Sequence, residues 1–157
     1  MLRATYSVAM RLQNVDGRFC AALAVGIALL LLMLLSAPAF GQAADMAKAR
    51  RAYEAGDYRA ALKEFNKAAD EGSAEAAHWL GLLHDRGHGM SRDPRAAYLW
   101  FSKAAAQGYA EAQRVIGVYH ELGKVVDQDL AQAAVWYGHA VRQNNAKAMR
   151  NLAQLYT

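Results

Sequence analysis

Cysteine is nearly absent from this sequence. The one cysteine, Cys20, lies inside an apolar run, so no disulfide can staple residues 44–157, and packing alone must hold them. Proline is almost as scarce, with only Pro38 and Pro94. At 55% hydrophobic and 20% charged residues, with abundant alanine, that scarcity suits a helical protein and argues against disorder. No run of basic residues and no basic face interleaved with aromatics points to nucleic acid. A cysteine nucleophile, a GxSxG serine motif and a phosphate loop are all missing, so enzyme chemistry lacks its usual parts.

Charge is also missing between Arg18 and Asp45. Arg3, Arg11 and Arg18 precede the apolar run FCAALAVGIALLLLMLL (Phe19–Leu35), and the small-residue stretch SAPAFGQAAD follows it. That is the layout of a secretory signal peptide. Residues 1–43 are therefore expected to be a leader cleaved after Ala43 or Ala39, with Pro38 ending its helix and Met1 or Met10 as the start. The run also approaches the ~20 residues that span a bilayer, so an uncleaved N-terminal membrane anchor is the alternative. Either way the arginines stay in the cytoplasm and the rest is exported: periplasmic or secreted, or anchored in the inner membrane. Cys20 precedes most of the run, where a lipoprotein cysteine would follow it, so no lipid anchor is expected. Without residues 1–43, Lys+Arg falls from 18 to 15 and Asp+Glu from 14 to 13, so the basic balance owes much to the leader.

What is present is repetition. AEAAHWLG at 74–81 returns as AEAQRVIG at 110–117, and AKAMRNLA at 146–153 begins a third copy. Residues 74–109 lie over 110–145 without a gap. Ala76, Leu80 and Leu83 match Ala112, Ile116 and Tyr119, the i, i+4, i+7 spacing of one helix face, which Ala148, Leu152 and Leu155 repeat. In the second helix of each unit, Ala97, Trp100, Phe101 and Ala104 match Ala133, Trp136, Tyr137 and Ala140. Asp93 and Asp129 suit N-caps, and Pro94 suits the first helical position. Gly81 and Gly117 fall inside the first helices, where glycine costs about 1 kcal/mol against alanine. A partner helix that leaves no room for a Cβ explains them. Gly87 and Gly123 end those helices.

Upstream, Asp57 aligns with Asp93, and Ala61, Phe65 and Ala68 align with Ala97, Phe101 and Ala104. Lys63 and Glu64 replace Leu99 and Trp100, which suits an end unit facing water. Helix pairs are expected at about 45–71, 74–107 and 110–143. A lone helix at 146–156 is expected to cover the preceding pair, and its open side leaves room for a homodimer.

These residues resemble the Sel-one-like repeat family, a branch of the tetratricopeptide repeat superfamily. AEAAHWLG, GHGMSRD, WFSKAAAQG, AEAQRVIG and AVWYGHA carry the 36-residue pattern, and YEAGDY at 53–58 is similar to the opening of a tetratricopeptide repeat. His84 and His120 stand where the family has tyrosine, Met90 where it has valine, and Ala153 where Gly81 and Gly117 stood. The resemblance implies an all-α chain: a short right-handed α-solenoid of antiparallel helix pairs. It divides into a tetratricopeptide-like capping unit at 44–73, repeats at 74–109 and 110–145, and a C-terminal capping helix at 146–157. It further implies a non-catalytic adaptor without a cofactor, whose partner is another protein, here of the bacterial envelope.

In such stacks the first helices line the concave side. By helical phase the residues off the apolar stripe there are Glu75, His78, Leu82 and Asp85, then Glu111, Arg114, Val118 and Glu121, then Lys147, Arg150 and Gln154. The strip runs from acidic to basic and is the expected contact for an extended peptide or a helix. Solvated charges on ordinary helices are the plain alternative. Other readings are a glycan surface built on Trp79, Trp100, Trp136, Tyr98, Phe101 and Tyr137, a metal held by His84 and His88, and a cell-wall or lactam-processing enzyme. The first is weakened because four of those aromatics recur at core positions. The second is weakened because Gly87 interrupts the helix between the two histidines. The third lacks residues to build a pocket.

Overall fold

The computed structural model describes residues 38–157, with side chains from Asp45 onward. The expected leader lies otherwise outside the described residues. Seven helices follow one another among them: α1 (Pro38–Glu54), α2 (Tyr58–Asp70), α3 (Ala74–Arg86), α4 (Pro94–Ala106), α5 (Ala110–Leu122), α6 (Leu130–Val141) and α7 (Ala146–Leu155). None is long and apolar enough to cross a membrane. Pro38 opens α1, a position where its missing N–H costs nothing, and the helix it was expected to end lies outside the described residues.

The helix boundaries have local causes. Asp93 Oδ1 accepts from the backbone N–H of Arg95 and Ala96, both at 3.0 Å, ahead of Pro94. Asp129 caps α6 through the N–H of Gln132, and Asp57 caps α2 through that of Ala60. Gly87 and Gly123 close α3 and α5 in the left-handed conformation that glycine adopts without steric cost. The loops after them are near copies. Asp93 N–H bonds His84 O and Asp129 N–H bonds His120 O, both at 2.9 Å. Arg92 donates to Asp85 O just as Gln128 donates to Glu121 O.

Each pair folds back on itself. Gln143 Nε2 reaches Gln113 Oε1 (2.9 Å), while further along α5 Gly117 faces Tyr137, so the two helices run antiparallel. Alanines permit the close approach. Ala61, Phe65, Ala68, Ala76, Leu80 and Leu83 are fully buried in one core cluster, and Ala77, Ala97, Ala104 and Ala112 surround Phe101 and Ile116 in the next. A Cβ added to Gly81 would stand 2.6 Å from the ring of Phe101, and one on Gly117 2.5 Å from that of Tyr137. The result is an all-α repeat solenoid. One expectation about its first unit is corrected: Glu64 does not face water but has a side chain only 14% exposed, 2.6 Å from Lys48 of α1.

Candidate partner-binding face

The expected strip comes from equivalent positions of α3, α5 and α7, and the structure sorts it into three groups. The first is a paired cluster. Arg114 donates to Glu111 Oε1 through Nε (3.1 Å) and Nη2 (2.9 Å). Lys147, 36 residues after Glu111, reaches the same oxygen at 3.3 Å. Asn145 Nδ2 bonds the other carboxylate oxygen at 3.0 Å while its Oδ1 caps α7. Burial would raise the Glu111 carboxyl, but the bonds from Arg114 and Asn145, the Arg114 charge and Lys147 outweigh it and hold the pKa at about 2. Opposite charges at register positions thus tie α7 to α5.

The second group is taken up within or between neighbouring elements. Glu75 pairs with Arg50 of α1 at 3.3 Å and accepts from Trp79 Nε1. Asp85 stands 3.7 Å from Arg92 in the following loop. It also lies beside Tyr119, whose hydroxyl is pushed up to about 12 by burial and then by the Asp85 charge. Glu121 accepts a hydrogen bond from Tyr137 of α6, whose hydroxyl also receives Asn151 of α7. Burial and that bond to Glu121 raise the Tyr137 pKa. Leu82 and Val118 are half-buried.

His78 departs from its expected place. It is 6% exposed, packed between Phe101 (ring centroids 5.3 Å) and Tyr109 (5.1 Å). Tyr109 occupies the N-cap position that Ser73 and Asn145 hold elsewhere and makes no side-chain cap bond; its ring covers His78 instead. Desolvation lowers the His78 pKa to about 4, with Glu111 opposing and Arg114 and Lys147 adding to the fall. His78 therefore belongs to the interior, not to the contact strip.

The third group is open. Arg150 and Gln154, with Lys147 beside them, are exposed on α7. The equivalents His78, Arg114 and Arg150 become steadily more accessible along the stack, so the solvent-facing part of the strip is concentrated at its C-terminal end and is cationic.

The other candidates fall into place around this. Phe101 and Tyr137 are buried, and Trp79 stacks on Phe65 at 5.4 Å with rings nearly parallel, half-buried in the first core cluster. Trp100 and Trp136 are half-buried, and Lys103 lies over the former. His88 stacks on Tyr58 at 4.2 Å and shares a hydrogen bond with Tyr53, while His84 stays on α3 before the Gly87 cap. Among the described residues no three His, Cys, Asp or Glu side chains gather as metal ligands would. Sequence reasoning missed the Glu111–Lys147 and Tyr137–Glu121 links. The 36-residue register signalled the former.

Such a stack of short helix pairs, held by repeated glycine–aromatic contacts, defines an α-helical repeat scaffold. The Sel1 repeat model matches residues 74–109 and 110–145, and the chain belongs to the Sel1 repeat family. A Sel1 repeat protein from Oxalobacter formigenes is similar at 30% identity over 70% of this chain and 45% of that one, with a TM-score of 0.67. So is c5321, a protective antigen present in uropathogenic Escherichia coli strains displaying an SLR fold, at 26% identity over 73% of this chain and 25% of that one, TM-score 0.65. Cysteine rich protein B of Helicobacter pylori, at 23% identity over 60% of this chain and 71% of that one and a TM-score of 0.57, shares the fold. The chain thus spans under half of the first relative and a quarter of the second. No curated protein matches it. Sel1 repeat proteins are generally protein-interaction scaffolds and typically non-catalytic.

Proposed function

We propose that this chain is a non-catalytic adaptor of the bacterial envelope that binds a peptide or helix of a partner protein along its first-helix face. The observation that carries the reading is the repeat register: Glu75, Glu111 and Lys147 occupy equivalent positions 36 residues apart, and Lys147 meets Glu111 directly. A face built this way offers a regular row of side chains, of which Arg150 and Gln154 remain exposed for a partner. Its cationic end favours an acidic segment, because like charges would be repelled and opposite charges speed encounter. Export rests on the arginines ahead of Phe19–Leu35 and the small residues behind it.

The test is affinity capture from an envelope extract with the full chain, compared with Arg150→Glu. Arg150 suits the comparison better than Arg114, whose guanidinium already holds Glu111. A protein retained by the native chain and released by an equally folded Arg150→Glu chain supports the reading. Identical capture by both counts against it.

A further inference from the structure

One crevice differs between the two repeats. On α4, Tyr98 lies against α5, its ring 5.5 Å from Tyr119 and 6.5 Å from His120. Thirty-six residues later its place on α6 is taken by Ala134, Ser102 is replaced by Gly138, and His120 is replaced by Tyr156. The lost side chains leave a groove of about 420 Å³ between α6 and the C-terminal residues. Ala131, Ala134 and Gly138 line it with Val135 and Tyr156, and His139 and Arg142 complete the lining, their side chains 2.7 Å apart. Tyr156 is 77% exposed and Val135 51%, so two large apolar groups of this groove face water among the described residues.

Two observations specify what fits. The equivalent crevice in the preceding repeat accepts a tyrosine ring, so the empty one has the surroundings for an aromatic side chain from elsewhere. The charges that α6, α7 and the turn between them contribute are also all basic: residues 130–157 hold no Asp or Glu, while Arg142, Lys147 and Arg150 are among them. Of these, Lys147 is paired with Glu111, whereas among the described residues the Arg142 side chain bonds only the neighbouring His139. A second copy of this end would bring like charges together, which disfavours self-pairing here.

We infer that the groove between α6 and Tyr156 is a second docking site, separate from the first-helix face, for an acidic segment of a partner protein that presents an aromatic side chain. The ring takes the place Tyr98 holds one repeat earlier, and a flanking carboxylate meets Arg142.

The experiment follows backbone amide chemical shifts of the full chain, kept in a non-ionic detergent, during titration with a five-residue acidic peptide bearing a central tyrosine. Shifts centred on Ala134, Gly138 and Tyr156 are expected. Affinity should fall by roughly tenfold or more, a loss readily resolved by titration, in Ala134→Tyr, in Arg142→Glu, and when the peptide's tyrosine is replaced by alanine. Ala134→Tyr restores the arrangement of the first repeat. Should it fail to fold, Arg142→Glu and the alanine peptide decide. Shifts located elsewhere, none up to millimolar peptide, or equal binding by the variants would overturn the proposal. Binding to phosphatidylglycerol vesicles without a response to the peptide would overturn it in favour of a lipid surface.

Discussion

Gly117 faces the ring of Tyr137 so closely that a Cβ built on it would stand 2.5 Å from Cε1. Gly81 and Phe101 repeat the relationship in the preceding unit at 2.6 Å. The glycine sits mid-helix, where alanine would favour the helix by about 1 kcal/mol, so its presence is explained by packing, not by backbone conformation.

Gly117→Ala should therefore destabilise the protein despite the better helix propensity. Overpacking a filled site costs about 1–3 kcal/mol, and the propensity gain offsets only part of it. Gly117→Val should be worse, adding β-branched bulk against the same ring. Thermal melts of the three chains check this. A melting temperature unchanged in Gly117→Val would mean that α5 and α6 do not pack as described.

Acidification should weaken the fold in two windows. His78 has its folded pKa lowered to about 4 from 6.5, first by desolvation, so the unfolded chain binds its proton first. The stability it contributes is complete above about 6.5 and is lost as pH falls towards 4. Glu111 is held at about 2 against 4.5. Its contribution is present above about 4.5 and disappears as pH falls through 2. Urea unfolding at stepped pH should show both slopes. Glu111→Gln should flatten the lower one, and His78→Gln the upper. An upper slope that persists in His78→Gln would show that this histidine does not titrate with unfolding.

Val125 adopts φ 68°, where the equivalent residue of the first repeat is Gly89 with φ 76°. A left-handed conformation costs an L-residue roughly 1–2 kcal/mol, whereas glycine loses about 0.5–1 kcal/mol through its freer unfolded state. Val125→Gly should thus raise stability by up to about 1 kcal/mol, read from chemical denaturation midpoints at constant slope. A lower midpoint would show that packing of the valine outweighs its backbone strain.

Much of this fold was legible because its causes are local or periodic. Asp93 and Asp129 cap where their side chains reach the next backbone N–H groups, and Gly87 and Gly123 end helices by their own conformational freedom. Gly81 and Gly117 pointed to a close helix because nothing else explains glycine on an apolar face. The candidate face was less legible. Helical phase places His78 outward, but Tyr109, from the start of a different helix, lies over it. Glu64 reads as a charge on an end unit until Lys48 of α1 is brought beside it. Phase along one helix cannot show which charges neutralise each other across 36 residues, so Glu111 and Lys147 read as two binding residues and turned out to bind one another. The replacement of Tyr98 by Ala134 stands in the alignment, yet it marks a groove only once Tyr156 is placed opposite.

The most direct test of the scaffold reading is site-specific photo-crosslinking in envelope extract, with the reactive side chain placed at position 150 on α7 or at the exposed position 59 on α2. One discrete partner adduct is expected from position 150 and none from position 59. Adducts of equal yield from both positions, or from position 59 alone, would contradict a binding face on the first helices.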